Sequence, residues 1–279
     1  MKIYDCFTYF DEDELLEIRL NELNKFVDYF IIVEAGETHQ GKKKMKCINE
    51  NLLKKFGKKV RYFFLENLLK NQSAWTNENY QRNCVTNGLY DAKDEDIIII
   101  SDIDEIPNLK NINLTEVNNK FVIFQQQIFY YKFNLLYPNI SWYGSRVCKR
   151  KNFISPQWLR NVKHRKYPFW RLDTFFSKNK YSDIHIVNDG GWHFTNIKSA
   201  EDIEKKLLNY AHHYEFEQSG LNANDIKKKI SDKKVIYDHS TDQRGYKWGS
   251  EKTLETLNIS KMPDYVVDNL KKYSNWLQS

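Results

Sequence analysis

The chain has 279 residues, 41% hydrophobic and 15% aromatic, enough to bury the core of one large α/β domain, with or without a C-terminal elaboration. Its formal charge of +6 comes from 43 Lys and Arg interspersed with 37 Asp and Glu, which suits a small anionic ligand and argues against nucleic acid. No apolar run approaches the ~20 residues that span a bilayer, the first residues lack the apolar stretch of a signal peptide, and the four cysteines form no CxxC pair. A reduced, cytoplasmic setting is expected, with Cys6 and Cys84 as core thiols.

Residues 2–9 alternate as a first strand. Acids at 11–14 then favour a helix start, and Leu16, Leu20, Leu23 and Val27 fall on one helical face. Residues 29–33 form a second strand ending at Glu34, followed by a polar loop containing Gly36 and Gly41. Helix over 48–56, strand over 60–65 and helix over 77–90 come next. Ile97-Ile98-Ile99-Ile100 is too short for a helix and too uniform for a half-exposed strand, so it is a buried central strand of a parallel sheet. This βαβαβαβ order predicts a mostly parallel sheet with crossover helices over residues 1–110. Beyond Pro107 the pattern changes. Residues 121–133 and 140–150 read as aromatic-rich antiparallel strands, 151–191 is irregular, 200–216 is helical and short helices finish the chain. One domain over 1–279 is expected, with its nucleotide-binding half at 1–110 and its acceptor-binding half at 111–279.

The chemistry concentrates where the isoleucine strand ends. Asp102 and Asp104 are spaced i, i+2, so an extended backbone puts them on one side, beyond the carboxyl end of a strand, where open α/β sheets bind ligands. Paired hard oxygens there suit Mg²⁺ or Mn²⁺ held together with substrate phosphates; a charged turn cap is the plainer alternative. Glu105 either orients a ligand water or caps the turn. Glu34, at an earlier strand end on the same sheet edge, is expected to accept hydrogen bonds from a base or ribose, or else to be an exposed strand end. Thr38, Gly41 and Lys42 lie in the following loop, where flexible backbone and a cation meet phosphate, or form an ordinary polar loop. Glu78 and Arg82 sit i, i+4 on a helix, the spacing of an ion pair.

Several segments together resemble glycosyltransferase family 17. They are Asp5-Cys6-Phe7-Thr8-Tyr9-Phe10-Asp11-Glu12, Glu17-Ile18-Arg19-Leu20-Asn21-Glu22-Leu23 and Val27-Asp28-Tyr29-Phe30-Ile31-Ile32-Val33-Glu34-Ala35. Thr38, Gly41 and Glu78 with Arg82 follow, then Ser101-Asp102-Ile103-Asp104-Glu105-Ile106-Pro107 and Gly190-Gly191-Trp192-His193-Phe194. The resemblance covers about the first 215 residues. It implies a GT-A-type fold, a nucleotide-sugar donor (UDP-GlcNAc first), a divalent metal, a glycan acceptor and inversion at the anomeric carbon. It also turns Arg82 toward the nucleotide. The animal members carry an N-terminal membrane anchor, which is not expected for this chain, and Glu215 falls one position later than the family pattern.

Trp192 and His193 follow a Gly-Gly hinge. The indole suits stacking on a sugar face, and the imidazole suits metal or phosphate. Inverting transfer needs a carboxylate base near the acceptor hydroxyl. Asp189, just before the glycines, is the first choice, with Asp173 and Glu215 as rivals. The alternatives from other classes are a metal-dependent nucleotidyltransferase and a catalytically silent carbohydrate-binding protein.

Overall fold

The structure, a computed structural model, describes residues 1–165, 167–168, 170–209, 213–240 and 247–278, apart from the side chains of Asp173 and Phe175. The first hundred residues follow the expected order: β1 (Ile3–Tyr9), α1 (Asp13–Leu23), β2 (Tyr29–Ala35), α2 (Glu50–Lys54), β3 (Val60–Leu65), α3 (Ala74–Asn83) and β4 (Ile97–Ile100). Then come β5 (Glu105–Pro107), β6 (Phe121–Tyr130), β7 (Leu135–Lys149), α4 (Pro156–Asn161), α5 (Leu172–Phe175), β8 (Ile184–Val187) and β9 (Gly191–Thr195). The chain ends with α6 (Ala200–Asn209), α7 (His213–Ser219), α8 (Ala223–Ser231), β10 (Glu255–Thr256) and α9 (Asp264–Asp268).

These strands build one mixed sheet in the order β3-β2-β1-β4-β7-β6-β9-β5, with β8 beside β6 and β10 beside β7. β3, β2, β1 and β4 are mutually parallel, and β4 then meets β7 antiparallel, Ile100 opposite Arg146. The parallel half followed by an antiparallel, aromatic-rich half is the GT-A-type arrangement expected, with the Asp102–Asp104 segment leaving the sheet where the sense changes.

The four isoleucines are wholly buried because both faces of β4 are covered. Ile97 and Ile99 pack with Phe7, Tyr9, Phe30, Ile32 and the apolar face of α1, whereas Ile98 and Ile100 pack with Tyr4, Cys6, Ile31 and Val33 on the other face. This is the period-two division of a strand buried on both sides. A third cluster gathers Tyr130, Tyr131, Ile203, Phe216, Ile226 and Trp248 beneath α6, α7 and α8.

Three expectations change. The helix expected over 77–90 becomes α3 plus a 3₁₀ segment, Cys84–Leu89, with Cys84 half-buried rather than core. The irregular 151–191 segment contains β8 and leads into β9, whose residues Gly191, Trp192 and His193 pair with β5. Gly190 and Gly191 are not a hinge. Gly191 has φ +120°, and a Cβ there would lie 2.2 Å from the Ile106 carbonyl oxygen; at Gly190 it would lie 2.8 Å from the Val187 carbonyl oxygen. Both positions need glycine because neighbouring backbone comes too close for a side chain. Among the described residues no helix is long and apolar enough to cross a membrane.

Candidate active site

The Asp102–Glu105 turn is fixed from below by a buried arginine. Arg19 of α1 faces the sheet, and its guanidinium donates from Nε and Nη2 to the two oxygens of Asp5, a β1 residue, at 2.8 and 2.6 Å. Both side chains are fully buried. Arg19 Nη1 donates to the carbonyl oxygens of Glu105 at 2.8 Å and Asp102 at 3.1 Å. Phe194 N–H bonds the Asp104 carbonyl, and Ser145 Oγ the Glu105 carbonyl. The strand end thus continues as a turn whose backbone acceptors are taken, which holds the two carboxylates in place.

Above the turn lies a carboxylate–guanidinium network. Asp102 accepts from Arg82 Nη2 at 3.0 Å on Oδ1 and from Arg160 Nη2 at 2.8 Å on Oδ2. Arg160 reaches the site because α4 starts cleanly: Ser155 caps it through the Trp158 N–H, and Pro156 fills its first position. Its Nη1 also donates to Glu105 Oε2 at 2.7 Å and the Gly144 carbonyl at 2.7 Å. Arg82, on α3, donates to Glu78 Oε1 at 2.7 Å, and Glu78 Oε2 is buried without a hydrogen-bond partner among the described residues. Burial alone would raise the Asp102 pKa, but the charges of Arg160 and Arg82 outweigh it and hold the carboxyl well below its ordinary range. Glu105, 1% exposed, accepts from the Asp102 N–H, Arg160 and Trp142 Nε1, so it caps the turn.

Asp104 faces His193, with Oδ2 3.7 Å from Nε2. Burial pushes the Asp104 pKa up, yet the His193 and Lys206 charges pull it below the ordinary value. The His193 ring stacks on Trp142 at 4.7 Å between centroids, and its Nδ1 is buried without a partner among the described residues.

Two cavities meet over this network. The first, ≈ 370 Å³, lies over the carboxyl end of β1 and the start of the loop after β2, lined by Thr8, Phe10, His39, Gln81, Asp104, His193, Asn196 and Lys206. The second, ≈ 630 Å³, lies over β7 and α4. Both fall within the size range of small-molecule sites, about 300–1,000 Å³. Glu78, Arg82, Asp102, Trp142 and His239 line both.

Arg82, Asp102, Asp104 and His193 are therefore brought together as expected. The other candidates are not. Glu34 is fully buried and lines neither cavity; Lys44, Tyr62 and the backbone of Cys47 and Ile48 donate to its carboxylate, which anchors the loop after β2. Thr38, Gly41 and Lys42 close that loop on itself, through Thr38 N–H to the Lys42 carbonyl and Gly41 N–H to the Thr38 carbonyl, with Gly41 at φ +81°. Lys42 does not line either cavity, though it reaches Asn209, which lines the first, and it is His39 from this loop that lines that cavity.

Trp192 is a correction: it is 6% exposed, packs in the main core and donates from Nε1 to the Lys261 carbonyl. Neighbouring strand residues point to opposite faces, so a cavity-facing His193 puts Trp192 in the core. The tryptophan that lines both cavities is Trp142, with Trp248 in the first and Trp75 in the second, and nothing in its local sequence distinguished it. Asp189 sits in the exposed turn before β9 at φ +49°, outside both cavities. Glu215 is on the exposed side of α7, whose Phe216 faces the core, and it lines neither cavity. The Asp173 side chain lies outside the described residues.

The fit to a divalent cation is partial. Asp104 and His193 offer two adjacent donors toward the first cavity, while both Asp102 oxygens are bonded to guanidinium groups. Among the described residues no three His, Cys, Asp or Glu side chains converge as a metal cluster. Two protein donors suffice for Mg²⁺ or Mn²⁺ when phosphates and waters complete the shell.

Comparison with known proteins adds the following. The family profile described as Glycosyltransferase family 17 matches residues 1–278. The β-1,4-mannosyl-glycoprotein 4-β-N-acetylglucosaminyltransferases of Homo sapiens and Rattus norvegicus are each 30% identical over 106 residues, which cover 34% of this chain and 20% of theirs. The match thus spans a fifth of those relatives' length. Among solved structures, glucosyl-3-phosphoglycerate synthase from Mycobacterium tuberculosis, in complex with Mn²⁺ and UDP-glucose, superposes with a TM-score of 0.38 at 12% identity. That alignment covers 95% of this chain and 91% of the synthase.

Proposed function

The chain belongs to glycosyltransferase family 17 and is a glycosyltransferase, and from that premise we propose that its cleft moves a sugar from a nucleotide donor in the first cavity to an acceptor hydroxyl in the second. The observation that carries this reading is the shared wall: Glu78, Arg82 and Asp102 face both cavities, so a bond broken on one side and formed on the other meets the same charged groups. The donor's diphosphate lies against Arg82 and Lys206. When bound, Mn²⁺ or Mg²⁺ supplies charge neutralisation to the departing diphosphate, and Asp104 and His193 are the residues that would hold it.

The acceptor hydroxyl attacks the anomeric carbon in a single displacement with inversion. Glu78 takes its proton, because the residue lines both cavities and its Oε2 has no hydrogen-bond partner among the described residues. Arg82 fixes the other oxygen of the same carboxylate and thereby its direction. Trp142 closes the cleft with its ring on His193. N-acetylglucosamine from UDP-GlcNAc is the first donor to try, since it is the sugar in the names of the human and rat relatives.

The test is nucleoside diphosphate release from a panel of nucleotide sugars, with and without Mn²⁺ or Mg²⁺, in the presence of a glycan panel. One donor should give diphosphate release that a suitable glycan increases, with one glycoside formed per diphosphate. Pyrophosphate release would mean nucleotidyl transfer. Glycan binding with no turnover of any donor would mean a binding protein.

A further inference from the structure

The second cavity carries one cation more than its hydrogen bonds account for. Three arginines line it, Arg82, Arg146 and Arg160. Arg82 and Arg160 are ion-paired with Glu78, Asp102 and Glu105, although the Nε of Arg82 also lacks an acceptor among the described residues. Arg146 is not. It sits on β7 opposite Ile100, one residue before the Ser101–Asp102 turn. Among the described residues its guanidinium makes no hydrogen bond or ion pair, and its Nε is buried without an acceptor. The nearest carboxylates already face other donors: Asp102 has a guanidinium on each oxygen, and Glu105 accepts four hydrogen bonds.

A guanidinium has five donors in a planar fork that matches phosphate or carboxylate, and a buried donor left without an acceptor is costly. Water in the open cavity can reach the half-buried end of Arg146 but not its Nε, and a second cation lies beside it. Burial, with the Arg160 charge next, draws its pKa down to about 9; it stays charged at neutral pH, so an anion placed against it gains more than one placed in solvent.

The wall beside it suits the body of a sugar. Tyr143 and His164 stack face to face, centroids 4.0 Å apart and 7° from parallel. Burial and the Arg146 and Lys163 charges lower the His164 pKa, which keeps that ring neutral near pH 7. A neutral aromatic surface beside a lone guanidinium is a site for a molecule that is apolar on one face and anionic at one end.

We propose that the acceptor is an acidic sugar, its phosphate or carboxylate bound by Arg146 and its ring laid against the Tyr143–His164 pair. This rests on the reading of the second cavity as the acceptor side. Arg146 lines only that cavity, while Arg82, Lys206 and His193 serve the donor's phosphates in the first.

Calorimetry on the full chain tests it, using glucose, mannose and galactose, their 6-phosphates, the corresponding uronates and inorganic phosphate as probes. Arg146→Gln and Arg146→Lys are compared with the unmodified chain, and UDP with Mn²⁺ serves as a separate titration. At least one acidic sugar should bind tenfold or more tighter than its neutral parent and than inorganic phosphate. Whether a phosphate or a uronate wins identifies the anion. Arg146→Gln should abolish that preference, Arg146→Lys should keep part of it, and neither should change UDP affinity more than twofold. Equal binding of neutral and acidic sugars overturns the proposal, as does a preference that survives Arg146→Gln. Inorganic phosphate binding as tightly as every sugar phosphate would make this an adventitious anion site. A matching loss of UDP affinity in Arg146→Gln would give the guanidinium to the donor. If no nucleotide sugar turns over but the Arg146-dependent preference holds, the anion site stands and the transfer reading falls.

Discussion

Arg19→Met is the most informative single perturbation of the scaffold beneath the site. The Arg19–Asp5 pair is fully buried and doubly hydrogen-bonded, at 2.6 and 2.8 Å. Removing one partner of such a pair costs about 3–5 kcal/mol, because the other charge is left buried and uncompensated. Little is added by the turn itself: the Asp102 carbonyl keeps the Glu105 N–H and the Glu105 carbonyl keeps Ser145 Oγ. The cost is therefore mainly the stranded Asp5 carboxylate. Against a usual domain stability of about 5–15 kcal/mol, that is a large share of the whole. The double variant Asp5→Leu/Arg19→Met removes both charges and should recover at least about 2 kcal/mol relative to Arg19→Met, since apolar replacement of a whole buried pair is often neutral. Urea unfolding of the single and double variants, read at equal m-values, measures the coupling. Stabilities of the two single changes that simply add in the double would refute the reasoning. A folded Arg19→Met chain whose metal-dependent UDP affinity is unchanged would show that the turn needs no support from below.

Three further predictions follow from the same network. Asp104→Ala should weaken Mn²⁺-dependent UDP binding at least about tenfold by calorimetry, because it removes one of two donors facing the first cavity; unchanged affinity would assign any ion elsewhere. The Asp102 carboxyl is held below its unfolded value near 3.9, so its ion pairs should stabilise the fold fully above that pH and fail as pH falls further toward the folded value. The stability gap between the unmodified chain and Asp102→Asn, measured by urea midpoints from pH 7 down to pH 2, should hold constant to about pH 4 and narrow below it; a gap that never narrows contradicts the assignment. Gly191→Ala should cost about 3 kcal/mol or more, since its Cβ would meet Ile106 and Asn108 backbone at 2.2 and 2.6 Å. Gly41→Ala, at φ +81° with open space around it, should cost only about 1–2 kcal/mol of backbone strain; equal losses in thermal or urea unfolding would mean close approach is not what selects Gly191.

Much of the first half of the fold was legible because its signals are local. Four consecutive isoleucines can be fully buried only between two layers, and the 16/20/23 spacing defines the inner face of α1 without reference to anything distant, Val27 falling beyond the helix end. The carboxylates at the end of β4 were legible for the same reason: strand ends in parallel sheets are where side chains escape packing. What was not legible depends on register and on long-range partners. Trp192 and His193 are adjacent, and only the pairing of β9 with β5 and β6 decides which one faces the cleft. Glu34 ends a strand as expected, yet the loop after β2 folds back over it and takes its oxygens. Asp102 meets Arg160 from 58 positions away and Arg82 from 20, so no window around the Asp-Ile-Asp stretch shows that both its oxygens are bonded. Asp5 in the middle of an apolar strand and Arg19 on the buried face of α1 were a readable conflict whose resolution is their pairing.

The central claim is that sugar transfer takes place where the two cavities meet, with the Glu78 carboxylate as the base. Single-turnover kinetics of Glu78→Gln, alongside calorimetric donor affinity, tests it most directly. A general base contributes about 10²–10⁴-fold to the chemical step, so transfer should slow by at least about a hundredfold while UDP and donor affinity stay within about twofold. Transfer at a near-normal rate in Glu78→Gln would contradict the account and place the chemistry elsewhere in the molecule.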